Sequence, residues 1–118
     1  YYTDVADLAP LRGMPLRDLI CFGTRVTDLG PLAGAPLETL WIYYNKELAD
    51  LSPLRGTPLK TLSCSATSIE DLSPLADCPL NALTCQRTKV KDLGPLRGKQ
   101  LAELDISFTK VTDVTPLE

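Results

Sequence analysis

Apolar residues recur along this chain of 118 residues at a step of 21 residues, lengthened once to 22. The step is clearest at six Pro-Leu pairs: Pro10-Leu11, Pro31-Leu32, Pro53-Leu54, Pro74-Leu75, Pro95-Leu96 and Pro116-Leu117. A unit of this length cannot bury its own apolar side chains, so successive units must stack and share a core. The period therefore predicts a solenoid in a single domain, residues 1–118. Its repeats are 16–36, 37–58, 59–79 and 80–100, flanked by partial repeats 1–15 and 101–118.

Each repeat contains a short alternation of apolar and polar residues, which we number from its first leucine as slot 1. Slots 1, 4 and 17 hold leucine, and slots 6, 11 and 14 hold cysteine, isoleucine, valine or leucine. The residues of slots 4 to 7 alternate as in a β-strand, where successive side chains point to opposite faces. This pattern predicts that slots 4 and 6 lie in the core and that slots 3, 5 and 7 face outward.

A short helical turn is predicted after slot 11 of every repeat. An aspartate stands three residues before each slot-16 proline, where its carboxylate can accept hydrogen bonds from the N–H groups that open the turn. Proline begins such a turn without wasting a donor. Slot 19 holds glycine four times and Asp77 once, as expected for a left-handed residue that ends the turn. Slot 9 holds threonine or Asn45, which we expect to bond the backbone of the neighbouring coil.

The combined pattern LxxLx(C/I)xx(T/N)x(V/I)xDLxPL resembles a leucine-rich repeat of the short internalin-like or phosphatase-regulator type. The resemblance covers essentially the whole chain, although threonine replaces the usual asparagine in every coil but one. The form TxVxDLxPLxGxPL also resembles repeat arrays attached to bacterial serine/threonine protein kinases. The resemblance implies an α/β solenoid: a curved array with a parallel β-sheet on its concave face and short helical turns on its convex face. It also implies protein binding as the usual task.

All seven aromatic residues fall in slots 5, 7 and 8, which are three slots of the repeat: Tyr1, Tyr2, Phe22, Trp41, Tyr43, Tyr44 and Phe108. Slots 5 and 7 face outward on the predicted strand, and slot 8 follows directly. Since adjacent parallel strands lie about 4.8 Å apart, these rings form one exposed patch with polar residues at its C-terminal side. Exposed apolar patches of this kind mark interaction sites. The alternative is mutual packing of aromatic side chains across strands, with no ligand.

We therefore predict that a protein or peptide binds the concave face through apolar anchors and polar contacts. The candidate partner-binding residues are Tyr1, Ile20, Phe22, Trp41, Tyr43, Tyr44, Gln86, Arg87, Glu103, Asp105 and Phe108. The alternative function is a structural spacer or self-association element of a multidomain protein, such as a bacterial serine/threonine kinase. Both ends of the sequence fall in the middle of a repeat, which leads us to expect a piece of a longer array or self-association through uncapped ends.

Other classes of function are disfavoured by composition. The net charge is -3 with acidic and basic residues interspersed, whereas nucleic-acid binding needs a concentrated basic face. No apolar run approaches the roughly 20 residues that cross a bilayer. Histidine is absent, and an open sheet offers Glu103 and Asp105 no pocket that would shift their pKa for catalysis. We expect no enzymatic activity, no cofactor, no nucleic-acid partner and no membrane contact.

The four cysteines do not have the spacing of a metal site, because the sequence contains no CxxC pair. Cys21, Cys64 and Cys85 occupy slot 6, which otherwise holds isoleucine, and Cys78 lies in a turn. We predict small core thiols without disulfides, since a bridge between Cys64 and Cys85 would be strained. Such thiols favour a reducing compartment such as the cytoplasm. The six aspartates are assigned to turns, so we expect no calcium and no other metal.

Overall fold

The computed structural model describes residues 7–21 and 25–117, which wind into successive coils that lie side by side. Five of the coils each contribute one strand of three residues, formed by slots 3 to 5, to a parallel sheet. In chain order the strands are β1 (Asp18–Ile20), β2 (Thr39–Trp41), β3 (Thr61–Ser63), β4 (Ala82–Thr84) and β5 (Glu103–Asp105). The spatial order is also β1 to β5, so each coil pairs only with its neighbours in sequence. The predicted solenoid with a parallel sheet is confirmed.

The strand register equals the step of the sequence repeat. Leu19 pairs with Leu40, and Leu40 in turn pairs with Leu62. Ile20 likewise pairs with Trp41. Because every slot faces the same slot of the next coil, each slot becomes a column that runs across the sheet.

Six turns of 3₁₀ helix lie within the described ranges, one in each coil: Ala9–Leu11, Gly30–Leu32, Ser52–Leu54, Ser73–Leu75, Gly94–Leu96 and Thr115–Leu117. The aspartate two residues before each of them accepts a hydrogen bond at 2.7 to 2.9 Å from the first N–H of the helix. The predicted role of these aspartates is confirmed. A leucine, or Val114 in the last turn, separates each aspartate from its helix, and proline fills the second helical position, where no donor is needed.

The turns that end the 3₁₀ helices follow two patterns. Gly13, Gly34, Gly56 and Gly98 have φ near +80°, as predicted. The prediction of a left-handed residue is wrong at Asp77. Ala76 has φ -57° and ψ -36°, whereas the residues before the glycines have ψ near 130°. The chain changes from a type II to a type I turn, because a residue with a Cβ avoids positive φ. Lys99 donates from Nζ to the carbonyls of Ala76 and Cys78, at 2.9 and 2.6 Å.

The core consists of the predicted apolar columns. Leu37, Leu40, Leu59 and Leu62 are fully buried between the sheet and the 3₁₀ helices. Leucines of the outer strands, such as Leu104, are only half-buried because they have a neighbouring coil on one side. Burial of the columns removes apolar surface from water and stabilises the fold by about 25 cal/mol per Å². This is the main stabilising contribution to a fold of this kind.

The cysteines lie where the sequence predicts them. Cys64 and Cys85 are buried in the slot-6 column without a disulfide, and Cys78 is buried in its turn, with Sγ 3.6 Å from the carbonyl oxygen of Leu54. Burial raises the pKa of Cys85 to about 12 and that of Cys21 to about 11. These two thiols are therefore protonated, and poor nucleophiles, at neutral pH.

The slot-9 side chains differ from the expected ladder between coils. Thr67, Thr88 and Thr109 donate to the slot-6 carbonyl of their own coil, at 2.6 to 2.7 Å. Only Asn45 among the described residues of this slot reaches another coil, the preceding one. Its amide donates to the carbonyls of Cys21, at 2.9 Å, and of its own Ile42, at 2.6 Å. A threonine hydroxyl has one proton to donate, whereas the asparagine amide has two and can join two coils.

Candidate functional site

The outward side of the sheet, which we call the concave face, is formed by slots 3, 5 and 7. Its described members are Asp18, Thr39, Thr61, Ala82, Glu103, Ile20, Trp41, Ser63, Thr84, Asp105, Tyr43, Ser65, Gln86 and Ser107. Trp41 is 38% exposed and Ile20 is 54% exposed, while Leu40, which directly precedes Trp41 on β2, is fully buried. The predicted alternation of core and outer slots is therefore confirmed at the patch itself.

Aromatic side chains gather at the N-terminal end of the concave face. Trp41 lies beside Ile20 in the paired register of β1 and β2. The rings of Tyr43 and Tyr44 meet edge to face, with centroids 5.4 Å apart and planes at 68°. Such pairs contribute about 0.5 to 1.5 kcal/mol beyond their buried area. Tyr1 and Phe22, which the sequence places in the same cluster, lie outside the described residues.

A shallow depression of about 280 Å³ occupies the middle of the concave face. Trp41 and Tyr43 form its wall on the β2 side, and Glu103 lines it on the β5 side. The remaining lining residues come from β3 and β4: Thr61, Leu62, Ser63, Ala82, Leu83 and Thr84. The side chains that β3 and β4 place in slots 3 and 5 are all small, so they leave room between the aromatic wall and the carboxylate.

Acidic side chains lie at the C-terminal end of the concave face. Asp105 accepts hydrogen bonds through Oδ1 from the hydroxyl of Ser107, at 2.7 Å, and from its backbone N–H, at 3.0 Å. These hydrogen bonds from Ser107 hold the pKa of Asp105 below its usual range, so the carboxylate is charged at neutral pH. Glu103 is exposed two residues earlier on the same strand. The structure thus brings Glu103 and Asp105 together on β5, as the sequence predicts.

Slot 8 forms a ridge at the end of the strands, beside the concave face. Its described members Tyr44, Ala66, Arg87 and Phe108 all have left-handed backbone conformations, with φ from 56° to 62°. The N–H groups of Tyr44, Ala66 and Arg87 each donate to the slot-7 carbonyl of the following coil at 2.9 Å. Two residues later the chain donates back to the preceding coil, for example from Ser68 to Leu48 at 2.8 Å. The left-handed residue therefore reverses the direction of the hydrogen-bond ladder.

Arg87 and Phe108, two of the candidate contact residues, meet in this slot-8 ridge. The Arg87 guanidinium lies 5.3 Å from the centroid of the Phe108 ring, which is a cation–π contact. Phe108 is nevertheless 75% exposed. Gln86 precedes Arg87 and belongs to the concave face, where it is half-buried.

Ser68 makes a contact between coils that was not predicted from the sequence. Its hydroxyl donates to the carbonyl of Lys46 at 2.6 Å and so ties the lengthened turn of the 22-residue repeat to the next coil. The other full repeats carry a basic residue in this slot, as does the last partial repeat, whereas the first partial repeat carries Asp4. The only signal in the sequence is therefore that the basic row breaks in the coil after the extra residue.

The described residues contain no group of three or more histidine, cysteine, aspartate or glutamate side chains that could hold a metal ion. Within the same ranges, no helix has the length and apolarity needed to cross a bilayer. The arrangement on the concave face offers apolar area, hydroxyl groups and two neighbouring carboxylates. These groups are suited to non-covalent contacts.

Comparisons with known proteins support this architecture. No protein-family model matches the chain, and no curated protein sequence matches it. Among solved structures, the chain is similar to an internalin C2 from Listeria monocytogenes, with 28% sequence identity and a TM-score of 0.81. It is also similar to an internalin (inlF) from the same organism, with 23% identity and a TM-score of 0.73. Each match covers 97% of this chain, which spans 62% of the first protein and 42% of the second.

The expected curved leucine-rich-repeat solenoid is confirmed by these two structures together with the parallel sheet and the 3₁₀ turns. Both similar proteins are bacterial, which supports the bacterial, internalin-like part of the sequence resemblance. The closer resemblance to kinase-attached arrays stays a prediction.

Proposed function

We propose that this leucine-rich-repeat solenoid is a non-enzymatic module that binds a protein or peptide on its concave face, as part of a larger protein. One observation carries the proposal: Trp41 is exposed beside Ile20 on the sheet and also forms the wall of the depression. Tryptophan and tyrosine dominate the energetics of protein interfaces. A ring that served only packing would be covered by its neighbours, whereas this one is open to solvent over more than a third of its surface.

The proposed anchors are the apolar residues Ile20, Trp41, Tyr43 and Tyr44, together with Tyr1 and Phe22 outside the described ranges. The proposed polar contacts are Gln86, Glu103 and Asp105 on the concave face. Arg87 and Phe108 complete the proposed surface at the slot-8 ridge, where they contact each other.

A peptide library displayed on phage tests the proposal. Peptides selected on the parent protein are compared for binding to a Trp41→Ala/Tyr43→Ala double variant and to a Glu70→Ala/Lys91→Ala control, whose residues are exposed away from the concave face. We expect the double variant to lose affinity at least about tenfold, as for interface hot spots, and the control to bind as the parent does. Circular dichroism verifies that both variants are folded. A folded double variant that keeps every selected peptide would contradict the proposal.

Self-association is the second candidate, because the last coil exposes apolar side chains away from the concave face. Val114 is 50% exposed and Leu117 is 41% exposed. Light scattering distinguishes the two functions. A dimer that is lost in Val114→Ser/Leu117→Ser and kept in Trp41→Ala would favour a self-association element, whereas a monomer at all concentrations would favour the binding module.

A further inference from the structure

We infer that the depression on the concave face takes a basic peptide segment. An apolar residue of that segment packs against Trp41 and Tyr43, and a lysine or arginine of the same segment lies beside Glu103 and Asp105. This inference rests on the proposed function and adds the chemistry of the partner.

The charge of the concave face indicates that the partner segment is basic. Its charged residues within the described ranges are Asp18, Glu103 and Asp105, all of them acidic. Arginine and lysine lie outside the concave face: in slots 2, 8 and 10 on its flanks, and in slots 12, 18 and 20 in the rest of the coil. Of the described carboxylates, only Glu38 forms an ion pair, which it makes with Lys60 at 2.9 Å and outside the concave face. Within the described ranges neither Glu103 nor Asp105 forms an ion pair, so a cationic partner group would complement them.

Asp105 is prepared for such a contact by its own coil. Ser107 fixes one carboxylate oxygen, Oδ1, with two hydrogen bonds, and neither of these bonds comes from a charged group. The carboxylate is therefore held in one place and keeps its charge. A carboxylate held in this way loses less rotational freedom when it binds a partner group.

The distance between the two ends of the depression indicates the spacing of the two partner residues. Trp41 lies on β2 and Glu103 on β5, so three strand spacings of about 4.8 Å separate them by about 14 Å. The side chains of Ser63 and Thr84 between them are small and leave a continuous floor. An extended peptide that crosses the strands advances about 3.3 Å per residue, so its apolar and basic residues would stand about four positions apart. Residues four apart in an extended chain point to the same side.

Sequencing the peptides that the parent protein selects from a random 12-residue phage library tests this inference. We expect lysine and arginine to be enriched about four positions from an aromatic or aliphatic residue. Binding of one selected peptide is then measured through the emission of Trp41, which is the only tryptophan of the chain. The Glu103→Gln/Asp105→Asn variant keeps the shape of both side chains and should bind about tenfold more weakly, as expected for loss of a charged hydrogen-bonded contact. Glu70→Gln serves as the charge control and should bind as the parent does.

A synthetic version of the same peptide with its basic residue changed to glutamine closes a double-mutant cycle. We expect this peptide to bind the parent and the Glu103→Gln/Asp105→Asn variant equally well, and the preference of the parent for the basic peptide to shrink with added salt. Selected peptides without an excess of lysine and arginine, or equal affinity of parent and variant for the basic peptide, would overturn the inference and leave the proposed function standing. Failure of the parent to select any peptide that needs Trp41 would overturn both.

Discussion

Four residues with side chains hold a left-handed backbone in slot 8, where glycine would adopt the same conformation without steric cost. The sequence contains one hint of this requirement, because Gly23 occupies the same slot. Tyr44, Arg87 and Phe108 present large side chains at that cost, beside the face that we propose for binding. Ala66 presents only a methyl group.

Replacement of Ala66 by glycine should therefore stabilise the protein. A residue with a Cβ in this conformation is disfavoured by roughly 1 to 2 kcal/mol, and the greater freedom of glycine in the unfolded chain offsets part of that gain. We expect Ala66→Gly to raise the free energy of unfolding by about 0.5 to 1 kcal/mol, measured by urea denaturation. The matched control, Ala82→Gly in strand β4, should lower the free energy of unfolding by about 0.5 to 1 kcal/mol. A destabilised Ala66→Gly protein would show that the conformation carries no strain.

Individual residues also show why part of the structure could not be predicted from the sequence. The columns of leucine follow from periodicity alone, and so does the outward direction of Trp41. The turn at Asp77 depends on backbone angles, and the two-coil contact of Asn45 depends on the distance to the preceding coil. The support that Ser107 gives to Asp105 depends on a local side-chain geometry that no spacing rule describes.

Each described 3₁₀ helix is preceded by an aspartate that accepts a hydrogen bond from the first N–H of the helix. Hydrogen bonds from Ser52 hold the pKa of Asp50 below its usual range, and those from Ser73 do the same for Asp71. The pKa of Asp113 is lowered by hydrogen bonds from Thr115. A carboxylate whose pKa is lower in the folded state contributes stability above its unfolded pKa and loses that contribution as the pH falls through its folded pKa.

Acidification should therefore weaken these elements together. Aspartate has an unfolded pKa of about 3.9, so we expect the urea midpoint of the parent to fall as the pH decreases below about 4. The triple variant Asp50→Asn/Asp71→Asn/Asp113→Asn should have a lower midpoint than the parent at pH 7, because an amide oxygen is a weaker acceptor than a carboxylate. The two proteins should converge at low pH. A constant difference at all pH values would mean that the charge of these carboxylates is unimportant, and Glu70→Gln provides the control for a carboxylate outside the turns.

At the scale of the element, the sequence was informative because turn chemistry repeats six times. One aspartate before a proline is a weak signal, but the same pair in every coil indicates a short helix that begins at that point. The fourth turn begins like the others but ends differently, because Asp77 replaces the glycine and Lys99 of the next coil donates to two carbonyls. That contact joins residues more than 20 positions apart and could not be read from local pattern.

The whole molecule is a row of coils in which each contacts only its neighbours. Stability of such an array is close to a sum of the stabilities of coils and of the interfaces between them. A buried leucine in a central coil contributes to two interfaces, whereas its counterpart in an outer coil contributes to one. Leu62 in β3 is 1% exposed, and Leu104 in β5 is half-buried.

Truncation of these two leucines should have unequal effects. We expect Leu62→Ala to lower the free energy of unfolding by about 3 to 4 kcal/mol, which is typical of a cavity in a packed core. Leu104→Ala should cost about half as much, because less of its side chain is removed from water. Urea denaturation of both variants measures the difference. Equal losses would indicate that the outer coil is packed as tightly as the central one.

Because the strand register equals the repeat length, distances across the sheet come in steps of one strand spacing. Duplication of residues 59–79 would insert one more strand between Trp41 and Glu103 and move every later residue by one strand spacing of about 4.8 Å. The contacts of Trp41 and of Glu103 with their own adjacent strands would keep the same register. The distance that a partner must bridge is therefore set by the number of coils between Trp41 and Glu103. Gain or loss of whole coils would change that distance in whole strand spacings without any substitution at Trp41 or Glu103.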